Sequence, residues 1–433
     1  MTHPHAPLRR SVPTQGGAVV VGFSGGMDST VLLHLLANDT AIRREGLRAL
    51  HVHHGLQAGA DAWAGHCDQA CMALGVPLTL VRVRVDRDSG LGPEGAARAA
   101  RHRAFAQALG DGEILALAHH RDDQAETFLL RALRGSGVDG LAAMRHWRRY
   151  AGGWLWRPLL AQSRVALHAY ARAHGLHWVE DPGNAGSDPD RNFLRHQVLP
   201  LLRERWPHAA HSLARSAVLC AEAADLLDAG DALALADARR DDDTLDVEVL
   251  QALPRARRAR VLRHWVLALQ LPPLPGNGVD RIEAALLGAR ADAQASFDWS
   301  GARVQRWRNL LHAGRIRAPL PLRWEQDWDG QAPLALPTGD RLQLLGTDRF
   351  DESIRVHARR GGERIRLPRR SHQHSLKQVL QAHGIPPWQR VRMPLLSDRE
   401  GLLAAGDGIL SARLQAWLQE RGAGLLWRQG PGG

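Results

Sequence analysis

The chain has 433 residues, 44% of them hydrophobic and 23% charged, more than one hydrophobic core organises, so two or three globular domains are expected. That composition excludes a disordered chain, and no run of roughly 18 consecutive apolar residues exists to cross a membrane. Lys plus Arg number 56 against 45 Asp plus Glu, a net +11 with Lys377 the single lysine, which points to a polyanionic partner, nucleic acid first.

The first third alternates short apolar runs with helical patterns. Strands are predicted over 18–23, 47–53, 78–85 and 114–119, with helices over 28–36, 61–74, 94–109 and 122–134 between and after them. This order gives an α/β class with an N-terminal doubly wound parallel sheet. A further strand is expected at 154–160, then a helix from Ser163 to Gly175, serine at its cap and glycine at its end. From Arg191 the pattern turns helical through Asp237 and again over 254–290, a helical middle domain. A stretch rich in proline and tryptophan, 319–337, breaks this pattern, and a small α+β C-terminal domain follows. The expected division is a catalytic domain at 1–215, a helical tRNA-binding domain at 216–325 and a small basic C-terminal tRNA-binding domain at 339–433.

Chemistry concentrates first at Ser24-Gly25-Gly26-Met27-Asp28-Ser29, which joins an apolar strand directly to an apolar helix. Backbone amides at a helix N-terminus bind anions, the glycines let the backbone close on a phosphate, and the serines add hydroxyl donors. Asp28 would repel a phosphate unless a Mg²⁺ intervenes, so it is the expected metal ligand. No Gly-Lys-Ser/Thr is present, so this is not a Walker loop.

SGGMDS after AVVVGF resembles the loop of the PP-loop, or N-type, ATP pyrophosphatases, which cleave ATP to AMP and pyrophosphate. Ala118 to Thr127 (AHHRDDQAET), with Leu129-Leu130-Arg131 and Arg134-Gly135-Ser136-Gly137, narrows the resemblance to the tRNA(Ile)-lysidine synthases. In that family's order follow His51 to Leu56, Glu94 with Arg98 and Arg101, Arg157 to Leu160, Glu180-Asp181 with Asn184, and Arg191 to Arg195. Gly361 to Arg364, Ser375 to Lys377, Ile385 to Arg390 and Pro394 to Leu396 resemble its C-terminal domain. His102, where the family usually has tyrosine, and the polar start before Gln15 depart from it.

The resemblance implies a cytoplasmic ligase that joins free L-lysine to the 2-position of the wobble cytidine of a CAU-anticodon isoleucine tRNA. ATP first adenylates the cytosine 2-carbonyl oxygen. A lysine amine then displaces AMP, and decoding switches from AUG to AUA. ATP would lie on Ser24 to Ser29 with Mg²⁺ on Asp28. Asp123 and Glu126, at i and i+3 on one helix face, would take the lysine ammonium. Arg98 and Arg195 would stabilise developing phosphate charge. Arg191 and the C-terminal Arg359, Arg360, Arg364 and Arg366 would hold tRNA; a homodimer is left open.

Other patterns carry less. Gly135 to Gly140 fits GxGxxG but follows a helix, so it reads as a cap and loop. The histidines at 51, 53, 54, 119 and 120 lack thiolate partners spaced for zinc. The main competing activity is tRNA thiolation, which uses the same ATP chemistry with a CxxC pair or loop cysteine. Cys67 and Cys71 are four apart on a helix and read as packing, and Cys220 stands alone.

Overall fold

The computed structural model describes residues 17–55, 59–86, 92–180, 190–288 and 295–430. The start before Gln15, Leu56, Asp181, Asn184 and the Glu94 side chain lie outside the described residues. Two compact units divide the chain, Met1–Ala229 and Gly230–Gly433.

The first unit is built on a six-stranded sheet. Its strands are β1 (Val19–Gly22), β2 (Leu47–His53), β3 (Leu78–Arg82), β4 (Ile114–Ala116), β5 (Trp147–Tyr150) and β6 (Gly153–Trp156), in the order β3-β2-β1-β4-β6-β5. All neighbours are parallel except the hairpin β5–β6. Side chains alternate across a strand, so Val19 and Val21 enter one core and Val20 the other. Burial on both faces explains why the central strands β1 and β4 read as unbroken apolar runs, while the edge strand β3 is largely exposed. Helices α1 (Met27–Ala37), α2 (Thr40–Glu45), α3 (Ala60–Ala73), α4 (Gly92–Ala108), α5 (Arg121–Leu133), α6 (Val138–Leu141) and α7 (Arg164–Ala173) join and follow the strands. Leu32, Cys67 and Leu167 of α1, α3 and α7 pack on one face, and Ala104 and Phe105 of α4 on the other. The sheet is therefore doubly wound, and strand order reverses between β1 and β4. Ligands of such sheets bind outside the carboxyl ends of the strands at that reversal.

Beyond β6 the chain is helical through α8 (Asp190–Phe193), a π-helical turn at Leu194–Val198, α9 (Leu199–Arg205) and the 30-residue α10 (Ala209–Ala238). The second unit continues with α11 (Val247–Ala252), α12 (Arg255–Ala268) and α13 (Gly278–Ile282), the helical middle that the sequence leads one to expect. It also holds a five-stranded antiparallel sheet not anticipated from the sequence, formed by β7 (Arg239–Asp241), β8 (Thr244–Asp246), β9 (Ser296–Trp299), β10 (Ala302–Trp307) and β11 (Leu310–Arg315). Leu245, Val304 and Leu311 from these strands share a core with Val261 and Trp265 of α12.

The C-terminal part is α+β, with a sheet ordered β12-β15-β18-β19-β20, a sheet β13-β14-β21 and a hairpin β16-β17. These strands are β12 (Glu325–Trp328), β13 (Leu334–Ala335), β14 (Arg341–Leu345), β15 (Ile354–His357), β16 (Arg364–Ile365), β17 (His374–Ser375), β18 (Leu395–Asp398), β19 (Gly401–Ala405), β20 (Ile409–Leu410) and β21 (Gly424–Arg428). Helices α14 (Leu376–Ala382), α15 (Pro387–Arg390) and α16 (Ala412–Glu420) accompany them. Among the described residues no helix is long and apolar enough to cross a membrane.

Candidate active site

The phosphate loop leaves β1 and enters α1 at the sheet's reversal point. Gly25 adopts φ +79°, and a Cβ there would stand 2.6 Å from Trp63 Nε1 and 2.8 Å from Cys67 Sγ, so glycine is required both by conformation and by space. The Ser24 and Ser29 hydroxyls lie 3.0 Å apart, and Ser29 also donates to the Gly26 carbonyl at 2.9 Å. Across the loop, the Val179 amide donates to the Gly25 carbonyl at 3.0 Å. Gly26 is the N-cap of α1 and has no side chain to satisfy the first-turn amides. Open amides at a helix N-terminus are a place where an anion can be held.

Asp28 sits on the first turn of α1 with one oxygen, Oδ1, buried and without a hydrogen-bond partner. Its other oxygen lies 3.6 Å from Nε2 of His120. An orphaned carboxylate oxygen beside a phosphate loop suits a hard cation such as Mg²⁺. His120 is buried, which works against its charge, yet the carboxylates of Asp28, Asp123 and Asp122 hold its pKa above the ordinary value.

His120 also caps α5. Its ring accepts from the Asp123 amide, and Asp123 Oδ2 accepts from the His120 amide at 2.9 Å, a reciprocal capping box. Asp122 instead accepts from the Arg164 amide at 2.9 Å and pairs with Arg203, tying α5 to α7 and α9.

Asp123 and Glu126 are brought together as the i, i+3 spacing requires, and they are the two buried carboxylates among the described residues of this unit. Both already face arginine. Arg191 donates to Glu126 at 2.7 Å and to Asp123 Oδ1 at 2.8 Å; Arg195 donates to Glu126 at 2.7 and 3.0 Å and to the same Asp123 oxygen at 3.0 Å. Arg191 comes from α8 and Arg195 from the π-helical turn, whose wider winding is frequent where helices carry function. Two carboxylates meet two guanidiniums, so the cluster is neutral as a whole. Burial would raise the Asp123 pKa, but His120, Arg191 and His119 overcome this and pull it down to about 2. Arg191, expected at the tRNA, thus shares its carboxylates with Arg195.

Arg98 stands on α4 within a second, basic wall. Burial, then Arg98, Arg101, Arg148 and Arg157, pushes His102 down to about 4. Burial, then Arg148, Arg98 and Arg131, lowers Arg157 to about 10. Arg157 is held by the Arg145 carbonyl at 2.7 Å and donates through Nε to His119 Nδ1 at 3.2 Å. His119 itself is driven to about 3, mainly by burial and against the pull of Asp123, so it is neutral and carries its proton on Nε2. The RPLL and AHH motifs marked these two residues in the sequence without giving them a task. His102, at the family's usual tyrosine position, meets the Tyr150 hydroxyl, which donates to the His102 carbonyl at 2.6 Å.

Cys67 and Cys71 are buried beneath the loop and pushed up to about 12, chiefly by burial, so neither offers a thiolate at neutral pH. Arg359, Arg360, Arg364 and Arg366 belong to the second unit. Their charge is partly answered there: Arg360 pairs with Glu325 of β12 at 2.7 Å, and Arg359 lies 3.8 Å from Glu363. Arg364 and Arg366 donate only to carbonyls among the described contacts.

Residues 5–202 match the PP-loop domain, 245–312 the TilS substrate binding domain and 354–427 the TilS substrate C-terminal domain. The tRNA(Ile)-lysidine synthase of Xanthomonas axonopodis pv. citri is 55% identical over 429 residues, 98% of each chain. The chain belongs to the tRNA(Ile)-lysidine synthase family. The enzyme of that name from Xylella fastidiosa (strain Temecula1) is 52% identical with 96% of each chain covered, and that of Escherichia coli O157:H7 is 42% identical over 95% of this chain and 96% of its own. The loop from Ser24 to Ser29, His119, His120, Asp123, Glu126, Arg157, Arg191 and Arg195 all fall inside the PP-loop match, and Arg203 lies just past its end.

Proposed function

We propose that the chain is a cytoplasmic ligase that forms lysidine at the wobble cytidine of CAU-anticodon tRNA(Ile), consuming ATP and free L-lysine and releasing diphosphate and AMP. The observation that carries this reading is the meeting of a phosphate loop, an orphaned Asp28 oxygen and a buried carboxylate pair at one sheet reversal, in a chain of this family. ATP phosphates lie on the amides and hydroxyls of Ser24 to Ser29. Asp28, with its free oxygen, would hold Mg²⁺, which supplies neutralisation of the departing diphosphate. The cytosine O2 attacks the α-phosphorus, diphosphate leaves, and Arg98 and Arg195 offset the charge on the transferring group.

Lysine then needs an anionic seat for its ammonium, and Asp123 and Glu126 provide the buried pair. Arg191 and Arg195 neutralise these carboxylates. When phosphates of ATP and tRNA enter, the guanidiniums have competing anions, and Asp123 Oδ1, the oxygen both arginines share, becomes available to the ammonium. Lysine therefore binds after the nucleotide. The amine attacks C2, and AMP departs with the former carbonyl oxygen. Neutral His119, its tautomer set by Arg157, offers a fixed N–H donor beside these groups.

The basic hairpin with Arg364 and Arg366, together with Arg359 and Arg360, would position tRNA through phosphates without reading sequence. A three-domain division is supported within the second unit by a middle core separate from the C-terminal ones, although the C-terminal core also takes in Leu320, Trp328, Leu334 and Leu336, ahead of 339. Incubation with tRNA(Ile) and ATP but no lysine tests the order: adenylated tRNA and diphosphate should accumulate, and later lysine should release AMP. Diphosphate release that requires lysine from the outset would refute this sequence of steps.

A further inference from the structure

The motif Ile385-Pro386-Pro387-Trp388-Gln389-Arg390 has no place in the chemistry above, and its position in the second unit is specific. Trp388 stacks on His312 of β11 with ring centroids 4.3 Å apart and planes 19° off parallel, and meets Trp307 of β10 edge-on at 6.2 Å. His312 is held from behind by Asp243, 3.1 Å from its Nε2. At the two-residue turn between β10 and β11, Arg308 takes φ +55°, a strained angle for a side chain with a Cβ. That angle accompanies a guanidinium 4.6 Å over the Trp307 ring, with a bond to the Gln381 carbonyl at 3.1 Å. Arg390 approaches the same ring at 6.0 Å and donates to the Ile385 carbonyl at 2.6 Å.

Two guanidiniums thus share one indole. A third, Arg359, acts on Arg390: burial, then Arg359 and Arg308, lowers the pKa of Arg390. Among the described contacts they face one carboxylate, Glu363, at 3.8 Å from Arg359. Arg359 Nε is buried and has no hydrogen-bond partner. Stacking of Trp388 on His312 would join the two parts of the unit by itself, and three crowded guanidiniums oppose that junction unless an anion lies between them.

We propose that Arg308 and Arg390, which share the Trp307 ring, form with Arg359, whose Nε has no hydrogen-bond partner, a single phosphate-binding site that seats one backbone phosphate of the tRNA. The site joins the β10–β11 turn to the PPWQR helix α15, so a phosphate there contacts the middle and C-terminal parts at once. Guanidinium forks match phosphate oxygens in pairs, and the exposed Arg308 leaves the site open to a polymer backbone. The inference rests on the reading that tRNA is the substrate.

The test is the double variant Arg308→Gln with Arg390→Gln in the full chain, with tRNA(Ile) affinity measured across a salt series. Loss of one phosphate contact should flatten the slope of log affinity against log salt by about 1. Arg308→Lys with Arg390→Lys should restore the slope, and Trp388→Ala reports separately on the junction by thermal unfolding. A slope unchanged in the Gln pair overturns the site. So does a Gln pair that melts like Trp388→Ala and is not restored by lysines, since the arginines then only brace the junction. If the unaltered chain shows no salt-dependent tRNA binding, the substrate reading fails first, and the site with it.

Discussion

Changing Glu126 to Gln keeps the side chain's shape and removes one of two negative charges beneath Arg191 and Arg195. Glu126 is 1% exposed and accepts three N–H bonds, at 2.7, 2.7 and 3.0 Å. A glutamine retains one acceptor oxygen and turns an amide NH₂ towards guanidiniums that are themselves donors only. Lysine arriving at this pair meets one carboxylate in place of two. Losing a buried charge-assisted partner costs ~2 to 5 kcal/mol. Asp123 remains, and the arginine side chains are 21% and 23% exposed, so water relieves part of the imbalance. The low end, about 2 kcal/mol, applies and corresponds to about a 30-fold fall in kcat/KM for lysine. Steady-state rates with lysine and ATP varied separately measure this. The ATP requirement should move far less, because the bonds that shape the phosphate loop are made by Ser24, Gly26 and Ser29. Equal rises in both requirements would refute the argument and assign Glu126 to holding the arginines against phosphate.

Three other outcomes are expected. Asp28→Asn should lose metal-dependent diphosphate release, since an amide at the orphaned oxygen cannot neutralise charge; wild-type turnover with unaltered Mg²⁺ dependence would remove Asp28 from this role. Gly25→Ala should cost ~1 to 3 kcal/mol of stability and weaken ATP binding, because its Cβ meets Trp63 at 2.6 Å, whereas Gly26→Ala meets nothing closer than 3.6 Å and should be milder; equal melting temperatures for the two would contradict this. The folded-state pKa of Asp123, about 2, lies below its usual 3.8, so its contribution is present above about pH 4 and is lost as pH falls towards 2. Roughly 2 kcal/mol is at stake, and Asp123→Asn should flatten urea stability over that acid range; an unaltered acid slope would show that the network does not stabilise the fold.

Much of the first unit was legible because its signals are local. Leu47–His53 appears with the expected bounds, and its five residues from Ala49 to His53 are all buried, the histidines included. Ser163 caps α7 through its bond to the Ala166 amide at 3.2 Å. The middle sheet was hidden for a physical reason. Its strands are three to six residues long, β7 carries two arginines, and β10 alternates buried Ala302 and Val304 with Arg303 and Gln305. These strands fall at 239–246 and 296–315, on either side of the helical pattern at 254–290, and are too short and too interrupted by charge to show a strand period of their own. The site's loop and its carboxylates were visible as motifs, but their partners were not. Arg191 and Asp123 are 68 residues apart, and only the packing of α8 on α5 brings them to 2.8 Å. The same holds for Arg157 and His119, 38 apart and joined by neighbouring strands. The counter-charges of the C-terminal arginines were hidden in the same way: Asp327 and Glu325, which meet Arg355 and Arg360, come from β12, the adjacent strand.

The central claim is that this crevice joins lysine to tRNA at the expense of one ATP per product. Labelled lysine, purified tRNA(Ile) and ATP in one incubation test it, with label in RNA and AMP counted together. The account predicts one AMP for each lysine incorporated, no label without ATP and none with Asp28→Asn. AMP formed while the RNA stays unlabelled, or label entering RNA without AMP, would contradict it.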